Sequence, residues 1–399
     1  MKLIPKKSIL LTGFTLLLGC FGCTDEGEPS SIENDNTQNE VYRRLQHCYD
    51  LFSENTTRGG EINILDTDTK YYTIIGDSVA EVEDLTRSIG NEFSITRISF
   101  EANNTQGFTI LTEDPRIEKV YFFTDNGCIA DTAQIGGLKW VIENIPLVAA
   151  TELSQSESET QGIIDDPIFT GLGNDFFKVN IGPIVNTKWG QGYPYNIHTP
   201  YCKCTICDNE KYRRHKPIGC VAIATAQFIA KIGKFKGTYF GSRDLDFSNL
   251  PVDTISTSPM NGQRLGHFLH EIAVSCQTKF GCGESMSYLL CAYRYLKDLD
   301  YDCTYSEGAL DITKFLSNLR NGYPHIMVGV EKGAYTGHAW LVDGYREDNL
   351  GYYFHTNWGW YGVDNGWVYG NPYSTNPSAY EPEKTPRIFS ESLQHIYIN

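Results

Sequence analysis

Cys220 stands inside the stretch "PIGCVAIATAQFIAKI", residues 217 to 232. Pro217 and Gly219 stop a helix ahead of it and an almost wholly apolar run follows, which puts the thiol at a helix's first turn. Unpaired backbone N–H groups and the positive end of the helix dipole gather there and favour an anion. The expectation is a thiol with a lowered pKa, held as the nucleophilic thiolate. Such a sulfur needs a proton carrier. His338 in "TGHAWLVDGY" has a glycine before it and an apolar strand after it, and His355 in "FHTNWGW" is the nearest competitor. The base needs an orienter, and Asn357 can accept the imidazole N–H while the indole of Trp358 shields that bond. Gln191, between Gly190 and Gly192, offers an amide to pair with the Cys220 N–H as donors to an oxyanion. Together these groups could carry out acyl transfer through a thioester. Singly, each has a plain alternative: a core cysteine, a surface histidine, an aromatic hairpin, a polar loop.

The elements that must position them follow from periodicity. Val221, Ala224, Thr225, Phe228 and Ile232 recur at helical spacing and face a core. Helices are predicted at "GHFLHEIAVSCQTKF", "MSYLLCAYRYLKDL" and "ITKFLSNLRNG", and strands at "PHIMVGV", "HAWLVDGYRE", "GYYFHTNWGW" and "GWVYG". Helices first and an antiparallel sheet after is the segregated α+β pattern. Upstream, residues 41–150 read as a small mixed unit. Its helices fall at "VYRRLQHCYDLF", "VAEVEDLTRSIG" and "GLKWVIENI"; its strands fall at "KYYTII", "EFSITRISF", "GFTILTE" and "VYFFTD". Residues 151–166, "TELSQSESETQGIIDD", are polar and aperiodic and read as a linker open to proteolysis.

Composition limits the rest. The chain has 399 residues and a net charge of −16, which argues against a nucleic-acid partner. Lys2, Lys6 and Lys7 precede a short apolar run that ends in Leu17-Leu18-Gly19-Cys20. That pattern reads as an export signal over residues 1–19 with lipidation of Cys20, the alternative being an ordinary signal that ends in cysteine. Cys23 is a weaker candidate, and residues 20–40 read as a disordered tether. Among twelve cysteines, Cys202, Cys204 and Cys207 form C-x-C-x-x-C. With His198 or His215 they could bind zinc; a local disulfide and free thiols are the other readings.

The four strings "TKWGQGYPYN", "GCVAIATAQ", "GHAWLVDGY" and "NWGWYG" resemble, in this order, the streptopain family of papain-like cysteine peptidases. The resemblance implies Cys220 as nucleophile, His338 as general base and acid, Gln191 as oxyanion donor, and Asn357 and Trp358 as orienters. It implies a papain-like fold over residues 167–399 that needs no cofactor and cleaves protein or peptide substrates. It also implies that residues 41–150, with "GFTILTEDPRIEKVYFF", form an inhibitory propeptide, so that the chain is a secreted zymogen activated by proteolysis; the lipidation read at Cys20 would tether it to a membrane only by lipid. Another Cys-His amidase and a catalytically dead surface binder are the competing functions. The cysteines at 202, 204, 207, 276, 282, 291 and 303 depart from the family pattern.

Overall fold

The structure is a computed structural model that describes residues 31–53, 61–76, 78–83, 91–112, 114–128, 136–158, 177–233, 259–308, 310–330, 337–348, 351–370 and 393–399. The predicted signal and the Cys20 and Cys23 lipidation candidates lie outside these residues. The chain divides into two units, Met1–Val41 and Tyr42–Asn399. Of the first, the described part is the beginning of helix α1 (Ser31–Phe52). Ser31 to Glu40, read as disordered tether, is therefore helical. Propagation from an existing helix costs far less than nucleation.

The second unit begins with α1 from Tyr42 and the strands β1 (Ile62–Ile75), β2 (Ser78–Val82), β3 (Glu92–Ala102), β4 (Thr105–Thr112) and β5 (Lys119–Thr124), followed by α2 (Gly136–Ser158). The predicted helix at "VAEVEDLTRSIG" is overturned at its start. β2 pairs antiparallel with β1, Val79 opposite Ile74, and β-branched side chains suit that edge better than a helix. The predicted linker also begins as helix. α2 runs on to Ser158, with Leu153 buried, Glu152 paired to Lys119, and the Thr151 and Ser154 hydroxyls bonded back to the carbonyls of Leu147 and Ala150. These contacts are tertiary or local and leave no apolar period to read.

Then come β6 (Val179–Ile181), α3 (Cys220–Ile232), α4 (Pro259–Ser275), the short β7 (Lys279–Phe280) and β8 (Ser285–Met286), α5 (Leu289–Asp298), β9 (Cys303–Glu307), α6 (Ile312–Arg320), β10 (His325–Val330), β11 (Gly337–Glu347), β12 (Tyr352–Asn357), β13 (Gly366–Tyr369) and β14 (Gln394–Ile398). One sheet runs β2-β1-β3-β4-β5-β13-β12-β11-β10-β14-β9, with β6 beside β11. The upstream strands and the downstream strands thus meet edge to edge, Trp367 opposite Phe123 and Val368 opposite Phe122. Gly366 permits the join: a Cβ there would lie 2.3 Å from the Phe123 carbonyl oxygen.

Helix α3 is buried along its length from Val221 to Ile229 and sits in a core with Trp189, Phe268, Leu269 and Leu341. Each fully buried Val, Ile or Phe contributes about 1.5–3 kcal/mol. That outweighs the few tenths lost by placing β-branched residues in a helix. The α+β reading with one helical half and one antiparallel half holds for the described residues from 177 onward, and Gly233 ends α3 in the left-handed region.

Candidate active site

Cys220 is the first residue of α3, as its spacing implies. Gly219 ahead of it takes φ +98°, and a Cβ there would lie 3.1 Å from the Ser285 carbonyl oxygen, so only glycine fits easily. The sulfur lies where the backbone N–H groups of Ala339, Val221 and Cys220 itself stabilise a thiolate. Ala339 is the chain neighbour of His338, so β11 is brought against the head of α3. The expected low thiol pKa is not found. Desolvation is the larger effect and pushes the thiol up, the three N–H groups offsetting only part of it.

His338, second residue of β11, is buried among indoles, with ring centroids 6.3–6.4 Å from those of Trp340, Trp358 and Trp360. Its Nε2 donates to the Trp358 carbonyl at 2.9 Å. Burial lowers its pKa to about 4, and that carbonyl bond opposes the shift without cancelling it. Among the described residues no hydrogen bond joins the Cys220 sulfur to His338. Gly137, in the first turn of α2, occupies the space beside the imidazole. A Cβ on it would lie 3.1 Å from His338 Cδ2 and 2.7 Å from Trp358 Cζ3. Thiol and imidazole are both neutral in this state, each for the same reason of desolvation.

Asn357, last residue of β12, does not hold His338, contrary to the expected arrangement. Its Nδ2 donates to the Thr187 carbonyl at 3.0 Å, and its Oδ1 accepts the Gly359 N–H at 3.1 Å. Its amide also pairs reciprocally with that of Gln227, both contacts at 3.3 Å. The imidazole finds the Trp358 carbonyl because that is the acceptor its buried orientation faces. Trp358 is fully buried, its indole N–H on the Asp364 carbonyl and its backbone N–H on Asn365.

Gln191 is buried at the junction leading to α3, where its carbonyl accepts the Ile218 N–H at 2.9 Å. That bond ties it two residues from Cys220. The flanking glycines make room for neighbours: a Cβ at Gly190 would meet the Tyr361 ring at 2.6 Å, and one at Gly192 the Lys211 carbonyl at 2.3 Å.

Two features escaped the sequence reading. Gln227, on α3 two turns beyond Cys220, accepts from Thr187 Oγ1 at 3.1 Å as well as pairing with Asn357. A lone glutamine inside an apolar helix at i+7 from the cysteine was the available signal. His355, weighed as a rival to His338, instead forms a buried pair with Asp343, Nδ1 to Oδ1 at 2.6 Å, while Asp343 Oδ2 accepts the Val185 N–H. The partners come from neighbouring strands, β11 and β12, which spacing does not reveal.

The C-x-C-x-x-C segment is also revised. Cys202 forms a disulfide with Cys282, 80 positions away, a bridge outside the zinc, local-disulfide and free-thiol readings of the segment. Neither histidine joins the sulfurs: His215 Nδ1 contacts the Thr199 carbonyl at 2.9 Å, and His198 stacks on His267 with centroids 3.6 Å apart.

Comparison with known proteins bears out the family resemblance. Residues 189–368 match the model of the Peptidase C10 family. The thiol protease/hemagglutinin PrtT of Porphyromonas gingivalis is 23% identical over 317 residues, 68% of this chain. The chain spans about a third of that relative's length. A fragment of prointerpain A from Prevotella intermedia superimposes with a TM-score of 0.52 at 17% identity, covering 85% of this chain and 98% of that one. That likeness extends the shared fold well upstream of residue 189.

Proposed function

We propose that this chain, whose residues 189–368 carry a Peptidase C10 domain, is a cysteine endopeptidase described here in its latent precursor form. The observation that carries the reading is the packing of β11 on α3, with Ala339 and Leu341 in one core with Val221 and Ile223, and Cys220 packed against it. It joins the head of α3 to the strand that bears His338, more than a hundred positions downstream.

In the active form the Cys220 thiolate attacks a peptide carbonyl carbon. The developing oxyanion is stabilised by the Cys220 N–H and the Gln191 side-chain amide. The C–N bond breaks as His338 protonates the leaving amine, leaving an acyl thioester. Water then attacks the thioester, giving its proton to His338, and the thiolate departs. This requires His338 to leave the Trp358 carbonyl and turn toward Cys220, with Asn357 and Trp358 flanking it.

Latency is assigned to residues 41–150. Gly137 beside His338, and desolvation that neutralises both reactive groups, support it. Processing within residues 151–180 would release the inhibitory part, in a protein exported through residues 1–19 and held by lipid on Cys20. Its substrates are proteins or peptides.

The test is alkylation and turnover before and after processing. Purified precursor should label slowly at Cys220 with iodoacetamide and cleave a protein substrate poorly. The processed form should label at least ~10-fold faster, since one pKa unit changes the thiolate fraction tenfold. Both properties should vanish in Cys220→Ala. A precursor as active as the processed enzyme would refute the latent state, and activity surviving Cys220→Ala would refute the chemistry.

A further inference from the structure

The segment from Thr199 to Lys216 is held almost without hydrocarbon. Its small separate core consists of Cys202, Cys207 and Tyr212, with Cys282 packed against them. So little apolar area cannot order a loop by itself; hydrogen bonds such as those from the Cys202 N–H to the Arg214 carbonyl and from the Lys216 N–H to the Pro200 carbonyl hold part of it, and a cross-link adds to them. The Cys202–Cys282 disulfide is one cross-link, but it accounts for two sulfurs where a third, that of Cys207, gathers with them and a fourth, that of Cys204, touches Cys202. Cys207 is fully buried, and the sulfurs of Cys202, Cys207 and Cys282 all lie within 4.8 Å of one another. The Cys204 sulfur lies 3.1 Å from that of Cys202. Neither Cys204 nor Cys207 is in a disulfide.

Packing alone gives no reason for two further thiols to gather on a disulfide. A tetrahedral ion does. Zinc bound by thiolates at about 2.3 Å sets neighbouring sulfurs ~3.8 Å apart, the spacing this cluster approaches once Cys202 and Cys282 part. The charge agrees. A zinc ion with four thiolates carries −2, and residues 201–217 hold five basic against two acidic side chains in a chain of net charge −16.

We infer that Cys202, Cys204, Cys207 and Cys282 form a thiolate site for one zinc ion, of which the disulfide form is the oxidised, metal-free state. Two equivalents of a low-molecular-weight thiol reduce the Cys202–Cys282 bond, yielding two cysteine thiols and one external disulfide. Zinc then replaces four protons on the four sulfurs. The site braces both flanks of the candidate nucleophile. The Lys211 carbonyl holds the Tyr193 N–H, two residues from Gln191, and the Tyr212 hydroxyl donates to the Gly283 carbonyl at 3.3 Å, two residues from Ser285 beside Gly219. The inference stands on the sulfurs and does not need the peptidase reading.

The test uses the full chain with Cys220→Ala, reduced by a thiol under anaerobic conditions and titrated with Co2+. One cobalt per chain should survive desalting, with thiolate-to-cobalt charge transfer in the near ultraviolet and intense tetrahedral bands in the visible. One equivalent of Zn2+ should bleach both. Cys207→Ser and Cys282→Ser should lose the bound cobalt. Cys204→Ser, at an exposed position that keeps the fold by near-ultraviolet circular dichroism, should weaken binding at least tenfold and alter the visible bands. Reduced chain that retains no metal overturns the inference, as does a cobalt spectrum left unchanged by Cys204→Ser or Cys282→Ser.

Discussion

Gly137 lies against His338 so closely that a single added carbon would stand 3.1 Å from the imidazole and 2.7 Å from the Trp358 ring. The first turn of α2 therefore packs directly on the imidazole and on the Trp358 ring. Gly137→Ala overpacks this contact, at a cost of about 1–3 kcal/mol. Latency should weaken by roughly 5- to 150-fold, read as basal turnover of unprocessed precursor or as faster self-processing. Precursor with Gly137→Ala that stays as silent as the parent would mean that the contact does not restrain the histidine.

Acid should destabilise the precursor. Burial lowers His338 to about 4 and His395 to about 4, and it lowers His325 to about 3 with help from the charge of His395. A folded pKa below the unfolded value of 6.5 means that the unfolded chain takes up the proton first. Stability is whole above pH 6.5 and is lost as pH falls toward 4. His338 alone accounts for about 3 kcal/mol of that loss. Thermal melting of Cys220→Ala precursor between pH 8 and 4 tests this, and a melting temperature unchanged down to pH 4.5 would contradict it.

Gln227 joins α3 to the Thr187 segment and to Asn357. Gln227→Leu removes the α3 partner of both the Thr187 hydroxyl and the Asn357 amide, which keeps only the Thr187 carbonyl and the Gly359 N–H, at a cost of about 1–3 kcal/mol. The melting temperature should drop by about 2–10 °C. In the processed enzyme kcat should fall more than KM rises, because the loop carrying Asn357 and Trp358 loses its tie to α3. Unaltered kcat in a variant with lowered melting temperature would make Gln227 a stability residue alone.

Lys119 forms a buried ion pair with Glu152 at 2.9 Å and donates to the Tyr369 hydroxyl at 3.1 Å across the β5–β13 join. Lys119→Met takes the cation from the buried Glu152 carboxylate, leaving it the Tyr121 hydroxyl, and should cost about 3–5 kcal/mol. Lys119→Met with Glu152→Leu should recover most of it. Denaturant unfolding of the four-member cycle measures the coupling, and additive losses would show that the pair is not coupled.

The positions that carry chemistry were legible wherever the signal is local. A glycine before a cysteine, an apolar 3.6-residue period after it, and a histidine heading an alternating strand are all read within a few residues. Long polar surfaces were misread. Ser31–Glu40 and Thr151–Ser158 are helical because of what adjoins them or packs on them, and β2 is a strand because β1 offers it an edge. Asn357 was assigned to the imidazole by chemistry, yet a buried amide on α3 holds it in this state. The partner was visible as a residue type and not as a neighbour.

The sequence by itself determined where Cys220, the proposed nucleophile, sits on its helix, which strand carries His338, and that helices precede an antiparallel sheet, since these follow from periodicity and backbone stereochemistry. Only the tertiary structure decided that two strand groups share one sheet, that Cys202 reaches Cys282, and that Cys220 and His338 are both neutral. Desolvation, strand pairing across hundreds of residues and sulfur–sulfur contact depend on which groups exclude water from one another. That is a property of the packed chain, with no counterpart in the order of its residues.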